Sequence, residues 1–464
     1  MTPTERPFSE AVLAWNMQLI IGDYHRRDHM KRIHLIALFA IPVLLLPTAG
    51  WSNGLFINSI GARAMAMGGA FVGLADDLSA VYWNPAGISL IETTTFGFTP
   101  THYSYSTHYD WNSHGISADD LADSAFKGLA AVVFPIKEGW TGGFALYSPL
   151  DFRTEWPGVQ IGEIFDDASQ RMRKNTINSW TVAAASAWRI NKKLSLGAAL
   201  ELHYGRFDNQ RYQGYMETGA EPYRRIIFIE SLVEKSKGIG LSGTLGLLYR
   251  SSDKLSLGLA LKIPGNIWLK GQGSSSNHYD LDWVSVLRRN LTLPFGIRGG
   301  VSFKPVPTLT LTADIHYTLW SMLDTITDRY ADPLWDMLFV TSESDIKVLN
   351  WKDTLQLRVG MEYRIGSTEL RLGFYTDPAA SPDSTTNLMF HDISQNYITA
   401  GLGVDGKTIR LYGVHIDVGF EYGFEGSREI SEDSVLTDPA FEHAVPGTYR
   451  RQSMGIAFAF SYRF

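Results

Sequence analysis

Three histidines raise the first chemical question. His203, His316 and His415 each stand on the polar side of an alternating segment, where an adjacent serine would form a nucleophile–base pair and suggest a membrane lipase or deacylase. No serine-centred elbow of the G-x-S-x-G kind comes with a third, orienting acid at recognisable spacing. The plainer expectation is a hydrogen-bonded histidine in a polar interior. The adjacent acids Asp76 and Asp77 could offer carboxylate oxygens to calcium, but no spaced set of further ligands follows them. They are expected to cap a turn or to pair with Arg63. Gly238, Gly240 and Gly243 fit the dinucleotide spacing G-x-G-x-x-G, yet they follow a polar loop and lead into a strand-like run, so they read as strand glycines. No P-loop occurs, and with no cysteine there is no thiolate metal site or cysteine nucleophile. The expectation is therefore no enzyme, no metal and no cofactor.

The stretch that could position a site of another kind is Asn58 to Ala86. Small residues crowd it at Gly61, Ala62, Ala64, Ala66, Gly68, Gly69, Ala70 and Gly73; the acidic pair and then Asn84-Pro85-Ala86 follow. Large and small residues do not alternate here, so no strand fits, and Pro85 ends any helix before it. Glycine permits irregular backbone and close approach to other surfaces, which makes the segment a compact plug. The set Gly61 to Phe71, Ala75 to Asp77 and Asn84 to Ala86, at these spacings, resembles the N-terminal hatch of the outer-membrane transporters of long-chain fatty acids and aromatic hydrocarbons. Fainter likenesses continue at His316 to Trp320, Trp351 to Thr354, Asp377-Pro378 and Gly401 to Gly403, so the resemblance spans Gly54 to Phe464.

From Thr93 to Phe464 the chain shows about fourteen segments with apolar residues at every second position, the mark of strands with two unlike faces. In the last, Met454, Ile456, Phe458, Phe460, Tyr462 and Phe464 oppose Ser453, Gly455, Ala457, Ala459, Ser461 and Arg463. Charges such as Glu201, Asp314, Arg358, Glu362, Asp417 and Glu421 fall opposite the oily face, as a polar lumen requires. Many runs reach the roughly 9 to 11 residues that a tilted strand needs to cross a bilayer. Short connections, such as Lys137-Glu138-Gly139 and Gly366-Ser367, alternate with long ones beginning near Thr107, Asp151, Asp208, Gly271, Ser321, Thr376 and Glu425. Glycine at 43 positions and aromatics at 12% suit a barrel with interface girdles. Hydrocarbon offers no water to an open sheet edge, so the sheet must close. The expected fold is all-β, a transmembrane antiparallel β-barrel of about fourteen strands with an N-terminal hatch plugging its lumen.

Ahead of the hatch, Lys31-Arg32, an apolar run from Ile33 to Leu46 and the small residues of Gly50-Trp51-Ser52 form a secretory signal pattern, too short in its apolar part for a spanning helix. Met30 to Ser52 is accordingly expected to be a signal peptide and Met1 to His29 an extension outside the mature fold. Asn53 to Glu92 is expected to form the hatch and Thr93 to Phe464 the barrel. A net charge of -7 argues against a nucleic-acid partner.

These readings imply a monomer in the bacterial outer membrane, in contact with outer-membrane lipid, that passively admits a hydrophobic small-molecule ligand. The substrate path is expected along Leu55, Phe56 and Asn84-Pro85-Ala86 of the hatch and Gly142 and Gly143 of the third strand. That strand carries pairing-breakers at Gly142-Gly143 and Ser148-Pro149, and in the resembling family a kinked third strand lets substrate leave sideways. Bulky side chains at Gly142 or Gly143 are then expected to stop uptake. A greasy outer-loop groove is expected at Trp320, Leu334, Trp335, Leu338 and Phe339, whose spacing of three and four suits short amphipathic helices. The competing reading from the same barrel family is a protein that docks exported partners on its long loops.

Overall fold

The alternating segments are strands. The computed structural model describes residues 54–157, 173–218, 225–277, 283–333, 335, 346–432 and 444–464. In chain order they form β1 (Thr95–Trp111), β2 (Ile116–Asp119), β3 (Ser124–Lys137), β4 (Trp140–Tyr147), β5 (Asp151–Trp156), β6 (Arg173–Arg189), β7 (Leu194–Thr218), β8 (Arg225–Arg250), β9 (Leu255–Asn277), β10 (Trp283–Leu293), β11 (Gly296–Val306), β12 (Leu309–Thr318), β13 (Thr325–Thr327), β14 (Arg329–Tyr330), β15 (Ile346–Val348), β16 (Thr354–Ile365), β17 (Thr368–Asp377), β18 (Gln395–Asp405), β19 (Val414–Ile430) and β20 (Gly447–Arg463). β4 with β5, and β10 with β11, are each one stave broken in the middle. β2 and β13 to β15 belong to the outer side. The staves form a closed antiparallel barrel of 14 strands. Closure is made by β1 on β20, in register from Thr95 opposite Arg463 to Asp110 opposite Thr448.

Burial follows the alternation. Leu200 and Leu202 face outward while Glu201 and His203 are buried; Ile416 and Phe420 face outward while Asp417 and Glu421 are buried. The six charges assigned to a polar lumen all lie inside. Short turns separate β3 from β4, β16 from β17 and β6 from β7, as the sequence suggested.

The long connections need correcting. Asp151, Asp208 and Gly271 do not begin loops: β5 starts at Asp151, β7 and β9 run on through Asp208 and Gly271, and β7 and β8 reach 25 and 26 residues. Such strands outrun the bilayer, and their upper parts alternate in polarity too weakly for periodicity to mark them.

Between Gly54 and Thr94 the chain lies inside the barrel and is almost wholly buried. Its elements are short: helix α1 (Ala62–Ala66), helix α2 (Ala80–Trp83) and a 3-10 turn at Pro85–Leu90. Side chains of this segment, Met65, Phe71, Trp83 and Ile88 among them, join a buried apolar cluster, and at several glycines its backbone meets the wall directly. Gly68, at φ 64°, sits where a Cβ would come 2.7 Å from the Val359 carbonyl and 2.9 Å from the Phe374 amide. At Gly73 a Cβ would lie 2.7 Å from wall atoms of Gly300 and Val301. Only glycine lets the two backbones meet this closely. Residues 1–53, and with them the proposed leader, lie outside the described residues.

Candidate functional site: a luminal segment beside a break in the wall

The wall grips the luminal segment through buried polar groups. Arg358 donates from Nη1 to the carbonyls of Asn58 and Gly68, both at 3.1 Å, and its guanidinium stacks on Trp83 and Tyr375. Asp314 Oδ2 accepts from the Val72 amide at 2.8 Å, and Glu421 Oε2 accepts from the Ser59 hydroxyl at 2.7 Å. Arg63 of α1 reaches Asp76 Oδ1 at 2.5 Å and Glu362 Oε2 at 2.7 Å. Asp77 Oδ1 accepts from the amide and hydroxyl of Ser79 at 2.8 and 2.6 Å. The acidic pair thus divides the two tasks expected of it: Asp76 pairs with Arg63, and Asp77 caps a turn. Asp77 borders a cavity of about 520 Å³ that lies between the luminal segment and the inner ends of β1, β19 and β20.

The histidines take part in hydrogen-bond networks. His203 Nε2 lies 2.7 Å from Ser242 Oγ and its Nδ1 2.7 Å from Thr181 Oγ1, so a serine–histidine contact does exist. Ser242 Oγ donates to Glu201 Oε2 at 2.9 Å, however, and the other ring nitrogen meets a hydroxyl. With the Ser242 proton directed to Glu201, this serine is not offering it to the ring, and the contact belongs to a polar network rather than to a nucleophile–base pair. Glu369, His415 and Asp417 bring ligand-type atoms together. Arg371 already donates to Glu369 Oε2 and Asp417 Oδ1, at 2.6 Å each, and balances that charge.

Asn84-Pro85-Ala86 presses on the wall opposite glycines. Asn84 Nδ2 donates to the carbonyls of Val72 and Leu247, both at 3.0 Å, while its Oδ1 accepts from the Ala86 amide and caps the 3-10 turn. A Cβ at Gly197 or Gly246 would run into this tripeptide. The three residues therefore meet β7 and β8. Gly142 and Gly143 are paired on both sides, Gly142 opposite Phe134 and Ser186, Gly143 opposite Val133 and Ala185. Bulk at Gly143 would meet Val132 O and the Val133 side chain at 3.0 Å, so these positions test strand packing.

The interruption of the third stave falls a few residues further on, at Ser148-Pro149-Leu150. Pro149 lacks a ladder donor. Pairing of β3 with β4 stops at Leu129 opposite Tyr147, and β5 pairs with β6 alone, leaving Ser124 to Gly128 without a ladder to β5. The Leu121 amide closes the top of the gap with a 2.7 Å bond to the Glu155 carbonyl. Within it, Lys127 Nζ meets Asp151 Oδ1 at 2.7 Å, and a cavity of about 400 Å³ opens beside Ala122, Ser124 and Thr154.

Leu55 and Phe56, both named from sequence, lie against the lower lip of this gap. Phe56 bridges to Leu150, the Ile57 amide donates to the Pro149 carbonyl at 2.9 Å, and the Asp151 amide donates to the Leu55 carbonyl at 3.1 Å. Behind them lies an apolar cluster that includes Leu150, Phe152, Phe207, Trp320 and Phe390.

The outer-loop groove is different from the one expected. Trp320 is fully buried against Phe56 and Trp351, and Trp335 is buried on Tyr330, with ring centroids 4.4 Å apart. The two tryptophans belong to separate clusters, and neither faces water. Leu334, Leu338 and Phe339 lie outside the described residues. Sequence reasoning missed Lys127, Asp151 and Phe390; Ser148-Pro149 was the available signal, and it points to the gap better than the two glycines do.

A closed fourteen-stranded barrel with an inward segment defines a class, the plugged β-barrels of the bacterial outer membrane. Residues 43–464 match the family of outer membrane protein transport proteins (OMPP1/FadL/TodX), and the chain belongs to that family. Among solved structures, a FadL homologue of Pseudomonas aeruginosa is similar at 15% identity, with a TM-score of 0.73 over 89% of this chain and 100% of that one. The toluene transporter TodX of Pseudomonas putida is 15% identical with a TM-score of 0.67, covering 89% of this chain and 100% of its own. The toluene transporter TbuX of Ralstonia pickettii is 15% identical with a TM-score of 0.64, covering 88% and 99%. At such identities these likenesses establish the fold. No curated protein matches the sequence.

Proposed function

We propose that this protein is a passive outer-membrane channel for hydrophobic small molecules, long-chain fatty acids or similar, which leave the barrel sideways through the gap between β3 and β5. Membership of a family of transport proteins supports the general activity. The observation that carries the lateral step is the stretch Ser124 to Gly128, laddered to β1 but not to β5, with an apolar cluster behind the gap. An apolar solute in that cluster exchanges water for hydrocarbon contact at roughly 25 cal/mol per Å² and keeps that contact on moving into lipid. Leu55 to Ile57, bound along the lower lip, would set how far the gap opens. No energy source is required, and a single copy of the chain suffices.

The test fills the gap from its exposed rim. Ala122→Trp with Ser124→Trp occupies the opening without touching the β3–β4 ladder. Uptake of a radiolabelled long-chain fatty acid or alkyl aromatic is expected to fall at least about tenfold, a barrier rise of about 1.4 kcal/mol. The heat-modifiable gel migration of a folded barrel should be kept. Full-rate uptake by the folded double variant would sink the lateral route.

A further inference from the structure

On the outer wall, neighbouring strands carry basic side chains at one level. The ladders place Arg206 opposite Lys237, Lys237 opposite Lys270, Lys270 opposite Arg288, and Arg288 opposite Arg329. All five are exposed. Two positions nearer the periplasm, the same ladders align Trp180, Tyr204, Ile239 and Trp268, each about half exposed. This lower row is the upper edge of the apolar band, and the basic row stands about 7 Å beyond it along the strands. That is headgroup depth.

Like charges set directly opposite one another destabilise a sheet. Arg206 has a partner, since its Nε donates to Asp208 Oδ2 at 2.6 Å. Among the described residues, no carboxylate lies within ion-pair distance of Lys237, Lys270, Arg288 or Arg329. The row therefore carries an unmet anion requirement on a surface that lipid covers. Strands spaced 4.7–4.9 Å apart make the five residues span about 19 Å, too long for one phosphate.

We propose that this row binds a lipid headgroup of the outer leaflet bearing more than one phosphate, with the acyl chains lying on Tyr204, Ile239 and Trp268. Phosphates sit between adjacent cations, where bidentate guanidinium and point-charge ammonium donors both serve them. The attachment relieves the repulsion along the row and fixes one side of the barrel in its lipid.

The purified full chain in phosphatidylcholine nanodiscs, doped with a bis-phosphorylated disaccharide lipid or its dephosphorylated form, gives the test by native mass spectrometry. The phosphorylated lipid is expected to be retained and the dephosphorylated one lost. At roughly fivefold per surface cation, the variant Lys237→Gln/Lys270→Gln/Arg288→Gln should bind about a hundredfold more weakly. Lys237→Arg/Lys270→Arg should bind as the native chain does. Because the row is exposed, the triple variant is expected to fold; if it does not, Lys270→Gln alone should lose about fivefold. Equal retention of the dephosphorylated lipid, or undiminished retention by the folded glutamine variants, overturns the proposal. Displacement of the lipid by micromolar inorganic pyrophosphate would overturn it as well, assigning the row to free phosphate.

Discussion

Arg63 carries much of the polar hold between the luminal segment and the wall. It joins Asp76 on its own segment to Glu362 on β16, and Arg371 shares Glu362 at 2.8 Å. Arg63→Ala would leave Glu362 with one cation and Asp76 with none. Breaking a buried pair costs about 3 kcal/mol at the low end, which fits here because Arg371 remains. Amide exchange between residues 60 and 80 should quicken while exchange in the wall strands stays slow. Asp77 offers a pH test. Burial pushes its carboxyl above the ordinary range against the pull of Arg63 and Ser79. The folded state then holds this proton to a higher pH than the unfolded one, so Asp77 detracts from stability at neutral pH and stops doing so as pH falls through the raised value. Asp77→Asn keeps an acceptor for Ser79 and cannot ionise. Its melting midpoint should exceed the native one at about pH 7, and the difference should shrink by about pH 5.

At the scale of elements, the 3-10 turn at Pro85–Leu90 is wedged on bare backbone of β7 and β8. Gly246→Val would drive a side chain into Asn84 and stand 2.9 Å from the Ala86 amide, at an overpacking cost of about 1–3 kcal/mol. The turn should give way before the ladder does, and planar-bilayer recordings should show a raised conductance to small ions with the barrel intact. Much of this architecture was legible in the sequence, because alternation such as that of Met454 to Phe464 has few other causes. Arg63 with Asp76, and the luminal charges, were legible for the same reason: a buried charge needs a partner. The break in the third stave was read from two pairs, Gly142-Gly143 and Ser148-Pro149, since glycine and proline both weaken a strand and nothing local ranks them. In the structure the two glycines are paired on both sides, and the interruption falls at Ser148-Pro149-Leu150. Trp320 and Trp335 were illegible for another reason. Helical spacing marks an apolar face but cannot say what covers it, and here Phe56 and Tyr330 do.

For the whole molecule, the closing seam has a consequence for biogenesis. The luminal segment precedes β1, and the cylinder shuts only where β1 meets β20, the first and last staves to be made. Gly68 and Gly73 touch wall backbone with no clearance for a methyl group, so the segment and the inner surface of the wall fit only as a matched pair. A segment cut to the wall in this way doubles as a gauge of the finished cylinder. Gly68→Val is expected to delay closure of the β1–β20 seam, read as slower gain of heat-modifiable migration in a pulse-chase, and an unchanged rate would show that the fit plays no part in closure.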